Sequence, residues 1–203
     1  MGIISSILDY RFASRAQVYV EPLREVRAHF DDLLLAHVKK NQKITESYGI
    51  GLHVERKTHG HALSHPEIYW ETQFGLVLYA RGVLRNIPIA AISFENRSTH
   101  LFVLRLHEVN GAKAYLHPLQ WGELLYCACI EFSRALGLGE VRVCPAYRMD
   151  CHPFGNQENA DGLTLFQCFA LEKRLHLFHD VIPQKCGFRW DECTSTHKLL
   201  LLQ

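Results

Sequence analysis

Leu23, Val26, Phe30, Leu33, Leu34 and Val38 recur at the three- and four-residue spacing of one helix face, with charged residues between them. They predict a long helix over residues 23–40, closed by Gly49 and Gly51. Residues 50–56 and 69–80 predict two strands, the second rich in aromatic and β-branched types. Two further apolar segments, 87–95 and 101–109, are joined by the polar stretch Asn96-Arg-Ser-Thr99. In the second, Phe102, Leu104 and Leu106 alternate with Val103, Arg105 and His107, the period of a half-buried strand. Together they predict a β-hairpin, followed by a turn at Asn110-Gly111.

A helix of about five turns is predicted over 118–136. Pro118 sits where a first turn tolerates proline, and Leu125, Cys129, Phe132 and Leu136 form the inward stripe. Gly137 and Gly139 stop it as a C-cap, and 140–144 follows as a short strand. Residues 162–180 predict a last helix, with Leu165, Phe166, Phe169 and Leu171 through Leu177 inward, Glu172 and Lys173 outward, and Pro183 as its break. A strand hairpin, a helix and another strand describe an α/β (α+β) fold. Its centre is a mixed β-sheet flanked by helices and containing a crossover. With 203 residues, the chain is expected to form a single domain, 1–203.

Composition narrows the function more than it names it. There are 22 Lys+Arg against 21 Asp+Glu, and the resulting net charge of +1 is not that of a dedicated nucleic-acid binder. No apolar run approaches the roughly 20 residues that span a bilayer, so no transmembrane segment is expected. Asp9, Arg11 and Arg15 interrupt the first apolar stretch, so no secretory leader is expected either. An odd cysteine count, seven, then fits reduced thiols in nucleus or cytoplasm.

Two Cys-x6-Cys pairs, Cys144 with Cys151 and Cys186 with Cys193, lie near His152 and His197 and allow a cross-paired zinc site. Structural zinc sites close tighter loops, however, and Cys127 and Cys129, two apart on a helix, point in different directions. The thiols therefore read as buried structural residues and no metal is assigned. His59, His61 and His65 occupy a polar loop with no carboxylate or thiol to complete a ligand set. Met1-Gly-Ile-Ile-Ser-Ser6 matches the N-myristoylation pattern, a short pattern that recurs by chance. The serine elbow, the phosphate-binding Gly-rich loop and the His-Glu-x-x-His helix are missing from the sequence.

An ordered set of short elements carries one resemblance. Ala91-Ile-Ser-Phe-Glu95, His107-Glu-Val109 and Tyr115-Leu116 are followed by Ile130-Glu-Phe132 and Leu136-Gly137. Cys144-Pro145, Cys151-His-Pro153 and His179-Asp180 complete the series. In this order they resemble the acetyltransferase domain of the CREB-binding protein family of histone acetyltransferases, over a core of about 21–184 with 185–203 as a tail. The resemblance implies an acetyl-CoA N-acyltransferase-like sheet and acetyl-CoA as cofactor. It also implies transfer to lysines of histones or transcription factors in transcription regulation. Glu21, Glu25, Asp31, Asp32, Glu158 and Asp161 are the acidic residues available to meet a basic tail, although solvated surface accounts for each as well.

The departures from the family bear on catalysis. Beside Leu116, the family's acetyl-CoA-contacting Asp and Ser are matched by His117 and Pro118, and proline offers no donor. The family's Trp-Tyr pair, a cofactor contact and a proton donor, is matched by Phe166 and Gln167. An amide can bind a thiolate but cannot deliver a proton at neutral pH. Tyr147 is the substitute donor if its loop folds back. Leu116, His117, Pro118 and Phe166 are thus the expected cofactor contacts, with Gln167 and Tyr147 as catalytic residues. Two alternatives stay open: a catalytically impaired interaction module of the same fold, and an unrelated soluble α/β protein.

Overall fold

In the computed structural model, residues 18–40, 49–58, 61–62, 65–69, 72, 74–81, 86–149, 152–154 and 163–201 are described. The first predicted helix is two, α1 (Val20–Ala28) and α2 (Phe30–Ala36). At His29 the backbone leaves helical geometry and its N–H turns to Val26 O at 3.2 Å, three residues back. Val26, Phe30 and Leu34 stay on the core side through the kink. The sequence-predicted strand 69–80 is also divided, into β3 (His65–Tyr69) and β4 (Phe74–Ala80); before them come β1 (Ile50–Thr58) and the short β2 (His61–Ala62).

The predicted hairpin is present as β5 (Ile87–Asn96) and β6 (His100–Glu108), with Ser98 in the left-handed region at φ 58° inside its turn. A short helix, α3 (Lys113–Leu116), precedes α4 (Trp121–Ala135), which begins three residues after Pro118. Gly137, at φ +70°, ends α4: Leu138 N–H bonds Ser133 O and Gly137 N–H bonds Arg134 O, the paired bonds of a Schellman cap. Next come β7 (Glu140–Val143), a 3₁₀ turn at Ala146–Arg148, and α5 (Leu165–His176), opened by a reciprocal capping box between Thr164 and Gln167.

The helical path does not stop before Pro183. It widens into a π turn (Leu177–Val181) and resumes as α6 (Ile182–Lys185), with Pro183 buried in it. The wider turn relieves the clash between a proline ring and the carbonyl four residues back. Residues 185–203, set outside the core by the resemblance, supply β8 (Arg189–Asp191) and β9 (Thr196–Leu200).

Among the described residues the strands run in the order β3-β2-β1-β4-β5-β6-β7-β9-β8. All pairings are antiparallel except β6 with β7, so the crossover through α4 yields the mixed sheet expected from the sequence. On one face α1 and α4 bury Tyr19, Phe74, Phe94 and Phe132 in an aromatic cluster. Phe102 and Leu104 of β6 contribute to a second cluster, with Leu171 and Leu175 of α5. That helix does not bury the face expected of it. Leu165, Phe166 and Phe169 are 72%, 82% and 59% exposed, while Cys168 and Leu175, seven residues apart, point inward. Among the described residues no helix is long and apolar enough to cross a membrane.

Gly187 adopts φ +91° and makes the Schellman bonds that end α6. A Cβ there meets nothing closer than Leu199 Cδ1 at 3.7 Å, so strain in Gly187→Ala is conformational. A loss of about 1–2 kcal/mol is expected in urea unfolding. An unchanged midpoint is incompatible with that left-handed cap.

Candidate functional site

The parallel pairing of β6 and β7 stops at Val103 and Val143. Its cause lies on the other edge of β6, where Phe94 pairs with Val103 but Ser93 pairs with Arg105, leaving Leu104 as an extra, bulged residue. Cys144 N–H still reaches Val103 O at 2.9 Å, and the chain then departs at Pro145 while β6 runs on to Glu108. The strands thus part beside the amino end of α4.

No side chain caps that helix end. The N-cap residue Gln120 spends its own N–H on His37 O at 2.8 Å, and the first-turn N–H groups have no intrahelical acceptor. Lys39 N–H donates to Pro118 O at 2.9 Å and its Nζ to His117 O at 2.7 Å, tying the loop before α4 to the end of α2. The result is a cavity of about 610 Å³. Lys39, Lys113 and Lys185 bring positive charge to it, Glu108 and Glu123 negative charge, and Trp121 and Gly122 its floor. Lys185 pairs with Glu123 at 3.3 Å, and Glu108 faces Arg174 at 3.6 Å.

The inner part of the opening is filled by the protein's own side chains. A Cβ added to Gly122 would lie 2.8 Å from Ile182 Cδ1 and 3.4 Å from Leu106 Cδ2. Tyr126, fully buried, donates its hydroxyl to Phe178 O at 2.9 Å and fixes the π turn against α4. The amino end of α4 is therefore open to solvent, and the space behind it is closed.

The residues singled out from the sequence divide among three places. Leu116 and His117 line this cavity, and Pro118 adjoins it through the Lys39 bond. Phe166 lies on the exposed side of α5, and Gln167 spends its amide oxygen on the Thr164 N–H at 2.8 Å, so neither is among the cavity's lining residues. Tyr147 borders a different cavity of about 530 Å³, with His152, Phe169, Glu172, His176 and Asp180. There the Asp180 carboxylate accepts from His176 Nδ1 at 2.7 Å, His197 Nε2 at 2.9 Å and Ala146 N–H at 3.3 Å. Burial works against its charge, but these three donors outweigh it and hold the carboxyl below its ordinary range.

Among the described residues no group of three or more His, Cys, Asp or Glu side chains is arranged to hold a metal. Cys144 is buried, Cys193 exposed and Cys186 half-buried against α4. Cys151, His59, Gly2, Glu158 and Asp161 fall outside the described residues. Sequence reasoning missed Lys39, Lys113 and Lys185, scattered over 146 positions with no shared motif (185 − 39). The available signal was Trp121-Gly122, a glycine in a first helical turn where a neighbour approaches closely.

The fold is of the α/β class, a mixed sheet with helices packed against it, whose strands diverge next to an open helix amino terminus. No protein-family model, curated protein or solved structure matches the chain.

Proposed function

We propose that the chain is an acetyl-CoA N-acyltransferase-like domain that takes up acetyl-CoA at the amino end of α4 and acts on protein lysine amines of the histone type. The observation that carries this reading is the parting of β6 and β7 at Leu104 beside the uncapped helix end. Unpaired backbone N–H groups and the helix dipole suit a diphosphate, and Lys113 and Lys185 add cationic donors. The donor set fits the anionic end of the cofactor. The cofactor supplies the activated acyl group; Glu108 and Glu123 are the carboxylates that the cavity offers as proton acceptors for an incoming amine.

A second reading rests on the contacts of Gly122. Ile182 and Leu106 pack so closely on it that a Cβ would crowd them, which narrows the place where a pantetheine arm would enter. A chain that keeps Ile182 in place is an acetyltransferase-fold binding module, without transfer.

At a concentration one hundred times its Kd, acetyl-CoA is expected to stabilise the native protein by about 2.7 kcal/mol, read as a rise in melting temperature. Lys113→Glu is expected to reduce the rise without lowering the ligand-free melting temperature. Absence of any rise at millimolar acetyl-CoA removes both readings. A rise without label transfer from [¹⁴C]acetyl-CoA to a histone tail peptide leaves the binding module.

A further inference from the structure

The cavity of about 530 Å³ beside Tyr147 shares no lining residue with the one at the amino end of α4. Three segments build it. Phe169, Glu172, Lys173 and His176 recur at the three- and four-residue spacing of one face of α5. Ala146 and Tyr147 enter from the 3₁₀ turn after β7, and Asp180 from the π turn. The Ala146 N–H bond to the Asp180 carboxylate, at 3.3 Å, holds the 3₁₀ turn on the π turn. Arg148 Nη1 donates to Thr194 O at 3.5 Å and Ser195 O at 3.4 Å, which ties the same turn to the loop between β8 and β9.

The two aromatic rings of this wall are held in place yet left uncovered. Tyr147 and Phe169 are 55% and 59% exposed. Each is backed by a further ring: Trp190 of β8 stands 6.4 Å from Tyr147, and Phe154 stands 5.5 Å from Phe169. Trp190 also meets the ring of His197 at 5.3 Å, and His197 Nε2 bonds Asp180. Two carboxylates, Glu172 and Asp180, and one ammonium, Lys173, line the cavity, together with the imidazoles of His152 and His176. Asp180 is kept ionised by its three donors. Among the described residues Glu172 has no hydrogen-bond or ion-pair partner. Aromatic surface with a surplus of negative charge attracts a cation that carries an apolar skin, through the ring quadrupoles as well as the carboxylates. A bare ammonium is strongly hydrated and gains less from such walls than one whose N–H groups are replaced by methyls.

We propose that this cavity binds N-methylated alkylammonium groups, carried by a methylated lysine side chain or by a choline-type small molecule, with Tyr147 and Phe169 as ring walls and Glu172 and Asp180 as counter-charge. The cation rests against the rings, whose exposed surface it covers, and its methyl groups replace the water that the rings now order. Leu165 and Phe166, one turn before Phe169 on the same helix, prolong the exposed apolar surface beyond the cavity. Residues flanking a methylated side chain have ground to lie on there. Lys173 is the opposing charge, and it weakens what Glu172 and Asp180 attract. This inference stands apart from the acyl-CoA reading and uses none of it.

The test titrates the full ¹⁵N-labelled chain by NMR with choline, with the uncharged alcohol in which carbon replaces the choline nitrogen, and with a short peptide bearing either N-trimethyllysine or lysine. Choline or the methylated peptide is expected to shift the amides of Ala146, Tyr147, Phe169, Glu172 and His176. It should bind about fivefold more tightly than its uncharged or unmethylated counterpart. The methylated peptide exceeding choline assigns the group to a protein side chain, and choline equalling or exceeding the peptide assigns it to a free small molecule. Tyr147→Leu, Phe169→Leu and Glu172→Gln should each weaken binding about two- to fivefold, and Lys173→Gln should tighten it. None of these four side chains is buried, so the variants are expected to fold, and the comparison of probes on the unsubstituted chain decides the matter if one does not. The proposal is overturned if neither charged probe shifts these amides, if the two uncharged or unmethylated counterparts bind as tightly as choline and the methylated peptide, or if both ring variants bind undiminished.

Discussion

Phe132→Ala is expected to lower the unfolding free energy by about 3–5 kcal/mol. Phe132 is fully buried on α4, with its ring 5.8 Å from that of Tyr19 and 5.7 Å from that of Phe94. The alanine loses the transfer free energy of the ring and leaves a void between a helix and a sheet, neither of which can collapse freely into it. It also removes two aromatic contacts that join α4 to β5 and to the start of α1. For a chain of 203 residues the melting temperature should fall by about 10 °C. Urea unfolding should show a lower midpoint with an unchanged slope, and Phe132→Leu, which keeps most of the volume, a smaller loss. If alanine costs less than leucine, the ring is not the joint between helix and sheet.

The second large effect is acid destabilisation through His179. Its ring is fully buried; Nδ1 donates to Cys144 O at 3.1 Å, and Nε2 has no partner among the described residues. Protonation would put an uncompensated charge in the core, so burial pushes the imidazole down to about 4 from an ordinary 6.5. Between those values the unfolded chain binds a proton that the native one refuses, so stability falls as pH drops from 6.5 to 4. The loss is about 3 kcal/mol over the window. Asp180 acts on lower ground: its carboxyl is held below 3.8 by His197, His176 and the Ala146 N–H, so its contribution is present above 3.8 and disappears only below it. Urea midpoints from pH 7 to 4 separate the two. His179→Gln, which cannot titrate, should flatten the profile above pH 4, and an equally steep decline in that variant excludes His179 as the source.

Acid sensitivity has its structural origin in the π turn. Tyr126 anchors Phe178 O to α4, and the widened turn places His179 beneath the Cys144 carbonyl.

Much of the scaffold was legible in residue order because it depends on local periodicity. The alternation of residues 101–109 specified β6, the stripe Leu125, Cys129, Phe132 specified α4, and Gly137 specified its cap. The failures occurred where a periodic signal competes with a tertiary one. Leu165, Phe166 and Phe169 satisfy a helical pattern yet stay exposed, because the sheet surface under α5 meets Cys168 and Leu175 instead. His29 interrupts a pattern that looks continuous, since apolar spacing does not register a change of axis. Trp190 and Thr196–Leu200 were left outside the core because short strands at a sheet edge carry little period of their own.

The candidate site was less legible still. Leu116 and His117 were anticipated at the cavity, but its three lysines were not. The linear sequence by itself determined the class of the fold, the hairpin, the central helix and its stop, because each follows from interactions within about twenty neighbouring positions. Only the tertiary structure decided where the sheet opens and which side chains refill the opening. Those outcomes depend on contacts between different elements, Val103 with Val143 and Gly122 with Ile182 among them, whose meeting no local spacing encodes.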